Sequence, residues 1–389
     1  MRKAFLYFFI FLLAFRIFGY YFSLASGYQA GDQVLIHACL DTQPKITSRN
    51  QIFSLSKLRI ITSQNEQINF GDCLQIKGKV GEKGFLVDPE IEFWEPGLAK
   101  DWLNGLKKFG FWLQQKAKSH YNHYLPEPVS SLLSGIVLGA KSNLPVNFYQ
   151  KLQNTGTLHI VVASGYNLTV ISQYPADFLA WFTGRKAALV LGGALVWLYV
   201  LVAGFQPPII RAALIISLVY LARYLGRKFD VWRGFWLVIG LMLIFSPSLI
   251  ASISFQLSVS AMFGLLYFED KFQRLRNIRF VGKALAESLS AQLMVLPIIG
   301  FHFGTVSWAS PLINMLVLPF VPLLMTLGLI SLGARPFLYL VYPAGYLLEK
   351  IINFFGRFSF LQISFSFSWF LVIIYYLILF YIFGWRKKD

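Results

Sequence analysis

Residues Arg185–Lys228 read RKAALVLGGALVWLYVLVAGFQPPIIRAALIISLVYLARYLGRK. Two apolar runs, 187–203 and 207–222, flank the turn Gly204-Phe205-Gln206-Pro207-Pro208. Each run approaches the roughly 20 residues that an α-helix needs to cross a bilayer. Basic residues stand at the two far ends, Arg185-Lys186 on one side and Arg223, Arg227 and Lys228 on the other. Lys and Arg concentrate in cytoplasmic loops. The stretch therefore predicts a transmembrane hairpin with its ends inside and its Gly/Pro turn outside.

The same reading extends in both directions. Further spans are expected near 157–173, 232–246, 250–268, 284–300, 307–331, 337–356 and 367–385. The apolar run 4–25 after Arg2-Lys3 is read as an N-terminal anchor, longer than the core of a cleavable signal. That makes about ten spans, with both termini cytoplasmic. The basic clusters 185–186, 223–233 and 271–283 then fall inside, and Ser246-Pro247-Ser248 falls outside. Segment 129–141 is too weakly apolar to assign, and a re-entrant segment is one reading of it.

Composition agrees. Of 389 residues, 56% are hydrophobic and 14% charged, and the mean hydropathy is +0.57. An ordinary soluble domain has roughly 45–50% apolar and about 25% charged residues, so a soluble enzyme is excluded. The formal net charge is +17. Because that charge sits largely in short loops, the positive-inside rule accounts for it. It is weak evidence for a nucleic-acid ligand.

Residues 30–95 change character. Short apolar stretches alternate with polar residues, as in Cys73-Leu74-Gln75-Ile76-Lys77-Gly78-Lys79-Val80, and turn residues separate them. About five short strands are expected. The pattern suits an OB-type barrel, a fold that binds oligonucleotides or sugars. Seven basic residues against nine acidic ones argue against strong phosphate binding by this segment. Its two cysteines, Cys39 and Cys73, allow two readings: an extracytoplasmic disulfide or a pair of buried thiols. The chain has only five histidines, and none forms a Cys/His cluster with zinc spacing. Residues 98–125 place Leu98, Trp102, Leu106, Phe109 and Leu113 on one stripe, with most lysines off it, which predicts an amphipathic interfacial helix.

The expected organisation is thus an anchor (1–27), an extracytoplasmic OB-like β domain (28–96), an interfacial helix (97–127) and a helical membrane domain (128–389). No P-loop, nucleophile elbow or metalloprotease motif is present, and no enzyme activity, metal or cofactor is expected. Polar groups within spans are the informative residues, because they are costly in lipid. They are His159, Asn167, Arg211, Gln256, Glu287, Gln292, His302 and Asn314. Arg211, just after Pro207-Pro208, is expected to snorkel outward, and Glu287 to pair with Lys283 one turn away. Prolines at 297, 311, 319 and 322 suggest broken helices around a cavity.

Four blocks resemble the membrane domain of the ComEC family, the DNA-uptake channel proteins. They are Leu133–Ser142, Thr155–His159 with Ala163–Asn167, Pro208–Ala213 with Ser254–Ser258, and Phe301–Gly304 with Pro311–Asn314 and Leu318-Pro319. They occur in the family's order over about 130–330. Ala140 stands where the family usually has an acidic residue, and Tyr166-Asn167 follow Ser164-Gly165 where it usually has Leu-His. Asn167 cannot titrate near neutral pH. Many members continue into a metallo-β-lactamase-like nuclease domain; no such motif occurs here.

The resemblance implies a channel for single-stranded DNA in the cytoplasmic membrane during natural transformation. It implies Lys141, Lys151, His159, Asn167 and Arg211 near the outer mouth or path, with Gln256, His302 and Asn314 lining it or bonding helices together. Expected partners are single-stranded DNA, membrane lipids, a helicase or translocase, a separate nuclease and further copies of the chain in a homo-oligomer. Three other readings stay open: a transporter of another anionic solute or envelope precursor, a membrane-bound hydrolase using His159 and Ser164, and a scaffold for competence proteins.

Overall fold

The computed structural model describes residues 16–17, 31–40, 45–46, 50–55, 58–63, 68, 72–81, 85–87, 89–93, 98–139, 144–161, 165–272, 282–365 and 367–384. All of the expected anchor except 16–17, and Lys141, lie outside the described residues. The chain divides into two units, Met1–Gln115 and Lys116–Asp389.

The first unit is mainly β. Its strands are β1 (Gln33–Cys39), β2 (Lys45–Ile46), β3 (Asn50–Leu55), β4 (Leu58–Ser63), β5 (Cys73–Lys79), β6 (Phe85–Val87) and β7 (Glu90–Phe93). They form two sheets, β1-β5-β7 and β2-β3-β4-β6, with β6 joining β4 in parallel. Where about five strands are expected, the described residues contain seven. The extra ones, β2 and β6, are too short to show alternation in sequence. Period-2 patterning sets the faces: in β5, Leu74 and Ile76 are wholly buried while Lys77 and Lys79 face out. Leu74 and Ile76 join Ile36, Phe53, Ile60 and Leu86 in one core. Gly78 allows the close approach of β6, since a Cβ there would lie 2.5 Å from Leu86 Cδ2. Cys73 is disulfide-bonded, and the strand register sets Cys39 opposite it.

Helix α1 (Leu98–Tyr124) follows, as its amphipathic pattern predicts. In the first unit it is tied down by Asn104 Nδ2 donating to Cys73 Sγ (3.0 Å) and by Lys108 Nζ on Asp72 Oδ1 (3.1 Å). Phe109 of the expected stripe is exposed and stacks on exposed Trp112, with ring centroids 6.0 Å apart.

The second unit is helical: α2 (Val129–Leu138), α3 (Val146–Thr155), α4 (Leu158–Val161), α5 (Gly165–Thr183), α6 (Arg185–Val202), α7 (Pro207–Tyr224), α8 (Val231–Phe245), α9 (Ile253–Phe268), α10 (Gly282–Phe303), α11 (Ser310–Val317), α12 (Phe320–Ser331), α13 (Leu338–Phe355) and α14 (Trp369–Gly384). Two short strands, β8 (Thr305–Ser307) and β9 (Gln362–Ser364), pair antiparallel.

The unassigned segment at 129–141 contains α2, and all ten residues of that helix are buried. At 1.5 Å per residue it is about 15 Å long, half the ~30 Å of a bilayer core. Its serines weaken the hydropathy signal, yet protein rather than lipid covers them. Glycines bring neighbours close: a Cβ on Gly328 would meet Val137 at 2.8 Å, and one on Gly345 would meet Val129 at 2.7 Å. Buried Tyr121, in the last turn of α1, donates its hydroxyl to the Gly328 carbonyl at 2.8 Å.

Among the described residues, α6, α7 and α10 are long and apolar enough to cross a membrane, and α11 with α12 forms a fourth candidate bent by 41°. The bend lies at Leu318-Pro319; of the four prolines expected to break helices, Pro311 sits in the first turn of α11, and α10 and α12 run on through Pro297 and Pro322. Helices α8, α9 and α14 are apolar but shorter. The expected span 157–173 is not one helix. That apolar window straddles α4 and the start of α5, which runs on to Thr183. Large apolar side chains such as Trp181, Phe245 and Tyr339 are fully outward, a surface that soluble monomers rarely carry.

Candidate functional site

The second unit holds three groups of polar side chains, in which Arg211, Asn167, Asn314, Thr155 and Thr157 are buried while His159 and His302 are exposed. The first surrounds the end of α3. That helix stops because Gly156 adopts φ +70°, a conformation glycine takes without a Cβ penalty. Gly156 N–H then donates to the Gln153 carbonyl and Thr157 N–H to the Leu152 carbonyl, each at 3.0 Å, which is a Schellman end. Space also demands glycine, since a Cβ would sit 2.7 Å from Ser310 Cβ.

The Gly156 carbonyl gathers donors. His159 lies with Nδ1 at 3.0 Å from it; a carbonyl only accepts, so Nδ1 carries the proton and Nε2 is left as an acceptor. Ser310 Oγ donates to the same carbonyl at 3.4 Å. Asn314 Nδ2 then donates to Ser310 Oγ (3.2 Å) and to Ser288 Oγ (3.0 Å). The hydroxyls of Thr155 and Thr157, both fully buried, are 2.7 Å apart. Asn314 Oδ1, Ser290 Oγ and Ser307 Oγ are buried with no partner. On the flank, Lys151 Nζ donates to Asn353 Oδ1 and Asn353 Nδ2 to Glu349 Oε1, both at 2.9 Å.

The second group centres on Arg211, the sole buried charged residue among those described, 7% exposed. It does not snorkel outward. One guanidinium N–H donates to the Ser258 carbonyl of α9, and Nε is buried without a partner. No described carboxylate pairs with it. On α9, Gln256 Nε2 donates to the Ile250 carbonyl at 2.9 Å, and its Oε1 accepts from His302 Nε2 at 3.1 Å. Polar contacts thus link α7, α9 and α10.

The third group serves α2. The last four carbonyls of a helix lack intrahelical partners. Asn167 Nδ2 donates to one of them, that of Ile136, at 2.9 Å. Gln206 Nε2 donates to the neighbouring Gly139 carbonyl at 3.1 Å.

Of the sequence-derived residues, then, His159 and Asn314 share one network, Gln256 and His302 touch, and Arg211 binds the helix that carries Gln256. Asn167 and Lys151 stand apart from these. Lys283 and Glu287 form the expected exposed pair, at 3.8 Å. Ser164 of the hydrolase reading lies outside the described residues. Ser288, Ser310, Asn353 and Gln206 were not singled out from sequence. Gln206 alone had a signal, its place in the Gly/Pro turn. Among the described residues no His/Cys/Asp/Glu group could hold a metal ion. What the arrangement offers is hydrogen-bond donors and one desolvated cation.

A family model described as Competence protein matches residues 136–388. The chain belongs to the Competence protein family. Lys151, His159, Asn167, Arg211, Gln256, His302 and Asn314 all lie in the Competence region. Among similar proteins, ComE operon protein 3 of Bacillus subtilis (strain 168) is 28% identical over 264 residues, 66% of this chain and 31% of that protein. Competence protein ComA of Neisseria gonorrhoeae is 24% identical over 242 residues, 57% of this chain and 33% of that one. The uncharacterized protein YcaI of Escherichia coli (strain K12) is 23% identical over 281 residues, 64% of this chain and 37% of that one. The chain spans about a third of the length of these relatives. No solved structure matches it.

Proposed function

We propose that this Competence family member conducts single-stranded DNA across the cytoplasmic membrane during natural transformation. The observation that carries the reading is Arg211, a desolvated guanidinium with no carboxylate partner among the described residues, inside a family associated with competence. Burying a cation without a counter-ion is expensive. A phosphodiester passing close by would supply the missing charge. The donors around Gly156 and on α9 would replace part of the water that a strand loses in a low-dielectric slab.

In this reading about ten spans cross the inner membrane and the chain is multi-pass. The β unit is an OB-like extracytoplasmic domain, and the exposed Phe109–Trp112 pair of α1 lies in the lipid interface. A partner helicase or translocase drives the strand and another protein degrades its complement. The test is passage of labelled oligonucleotides by the reconstituted protein. It should be lost on Arg211→Gln and should weaken as salt rises. Passage indifferent to both would sink the reading. A second reading, transport of a small anion, draws on the same Arg211, whose slight exposure suits a small solute. Competition by the solute against DNA separates the two.

A further inference from the structure

Residues Asn353–Gln362 read NFFGRFSFLQ. Helix α13 ends within this stretch and β9 begins at its close. Phe354, Phe358 and Phe360 are 55%, 38% and 65% exposed, and Trp308 is 48% exposed. The rings touch in sequence, Phe354 and Phe358 edge to face (centroids 5.5 Å apart, planes at 80°) and Phe358 and Phe360 tilted (5.6 Å, 51°), so each presents a face in a different direction. The indole N–H of Trp308 donates to the Phe360 carbonyl at 3.0 Å, and its backbone N–H donates to Leu361. The β8–β9 pairing holds the same turn. The rings are therefore carried on tied backbone.

Cations accompany them. Arg357, which precedes Phe358 in the chain, is exposed, and no described carboxylate pairs with it. Lys151 packs against Gly356, where a Cβ would lie 2.6 Å from its own. Asn154 Nδ2 also reaches the Gly356 carbonyl, at 3.4 Å. The ladder thus adjoins the α3 end and its buried polar network.

We propose that this aromatic ladder is a stacking platform for single-stranded DNA, with Arg357 and Lys151 against the phosphates. The proposal rests on the conduit reading and names where the strand is received. Aromatic faces beside basic groups are how single strands are held without sequence preference, on sites of about 4–16 nucleotides. Three phenylalanine rings in contact suit the low end of that range. A lipid contact is the competing explanation for exposed phenylalanines. It fits poorly here, because β8 and β9 make an open two-stranded sheet, and open sheet edges do not occur within hydrocarbon. By contrast α14, from Trp369 to Gly384, is apolar without a single charge, as a lipid-facing helix should be.

The experiment uses the full chain in lipid nanodiscs and a fluorescent oligothymidylate, followed by anisotropy across a salt series. Phe358→Leu and Phe360→Leu keep the side chains apolar but remove the stacking face. Each should weaken binding about tenfold, and DNA passage should fall in step. Phe358→Trp keeps a face and should retain binding, which guards against a folding artefact. Arg357→Gln should reduce the salt slope by about 0.7. The ladder is overturned if the leucine variants bind oligonucleotide as the parent does, particularly if they shift partitioning into vesicles instead. A parent that passes DNA while leucine variants pass it equally well defeats the ladder and leaves the conduit. A parent that neither binds nor passes DNA defeats both.

Discussion

Arg211 concentrates the residue-scale chemistry. Its guanidinium makes one hydrogen bond, to Ser258, and leaves Nε buried and unpartnered. There is no ion pair to lose, so an apolar replacement of similar length relieves desolvation. Arg211→Met should therefore unfold at the same or a higher temperature than the parent, by analogy with buried ionic groups whose replacement is neutral or stabilising by about 1–4 kcal/mol. DNA passage should nevertheless be lost. A clear loss of stability would mean that the arginine is a structural tie instead. Gly156 gives the opposite case. Alanine there meets both the left-handed backbone, worth roughly 1–2 kcal/mol, and Ser310. Chemical denaturation should show Gly156→Ala destabilised, and Ser310→Gly in the same chain should recover the steric part only. Arg211 was legible in sequence as a charge in an apolar run, but its direction was not. The acceptor lies 47 residues on, and no local pattern encodes that.

Elements were legible where period and length coincide. The two runs of Arg185–Lys228 become α6 and α7, each 18 residues long, within about two residues at either end, because long, largely apolar runs between basic ends leave no competing choice. Helix α2 was not legible. Three serines among ten residues lower its hydropathy, and only tertiary contacts show that protein surrounds it. Those contacts predict that Tyr121→Phe, which deletes the bond to Gly328, costs about 1 kcal/mol in an unfolding measurement. Burial raises the Tyr121 hydroxyl well above the ordinary tyrosine range, so this tie should hold unchanged through alkaline pH that titrates exposed tyrosines. The strands of the first unit were legible as alternation, apart from two-residue β2 and three-residue β6. There the disulfide at Cys73 should act as a staple. Cys73→Ser should lower the stability of that unit by about 2–4 kcal/mol, read by far-ultraviolet dichroism on heating, and an unchanged midpoint would refute it.

At the scale of the molecule, a protein-buried α2, a bent α11–α12 pair and outward aromatic side chains form one pattern. Buried polar side chains such as Arg211, Asn167 and Asn314 lie among helices that also carry exposed large apolar side chains. Hydropathy and four motif blocks pointed to this organisation, since both depend on residue type along the chain. The partners within the site, such as Ser310 and Asn353, depend on which loops meet, and sequence periodicity carries no such information. In the proposed reading a single DNA strand passes along these polar groups. The most direct measurement is passage into proteoliposomes holding only this protein. Labelled single-stranded and double-stranded oligonucleotides are offered outside, and a single-strand-binding protein is trapped within as a sink. Nuclease-protected single strands, little protected duplex and loss of the signal with Arg211→Gln are expected. Vesicles of folded protein that protect no strand, or protect it equally without Arg211, would contradict the proposed reading.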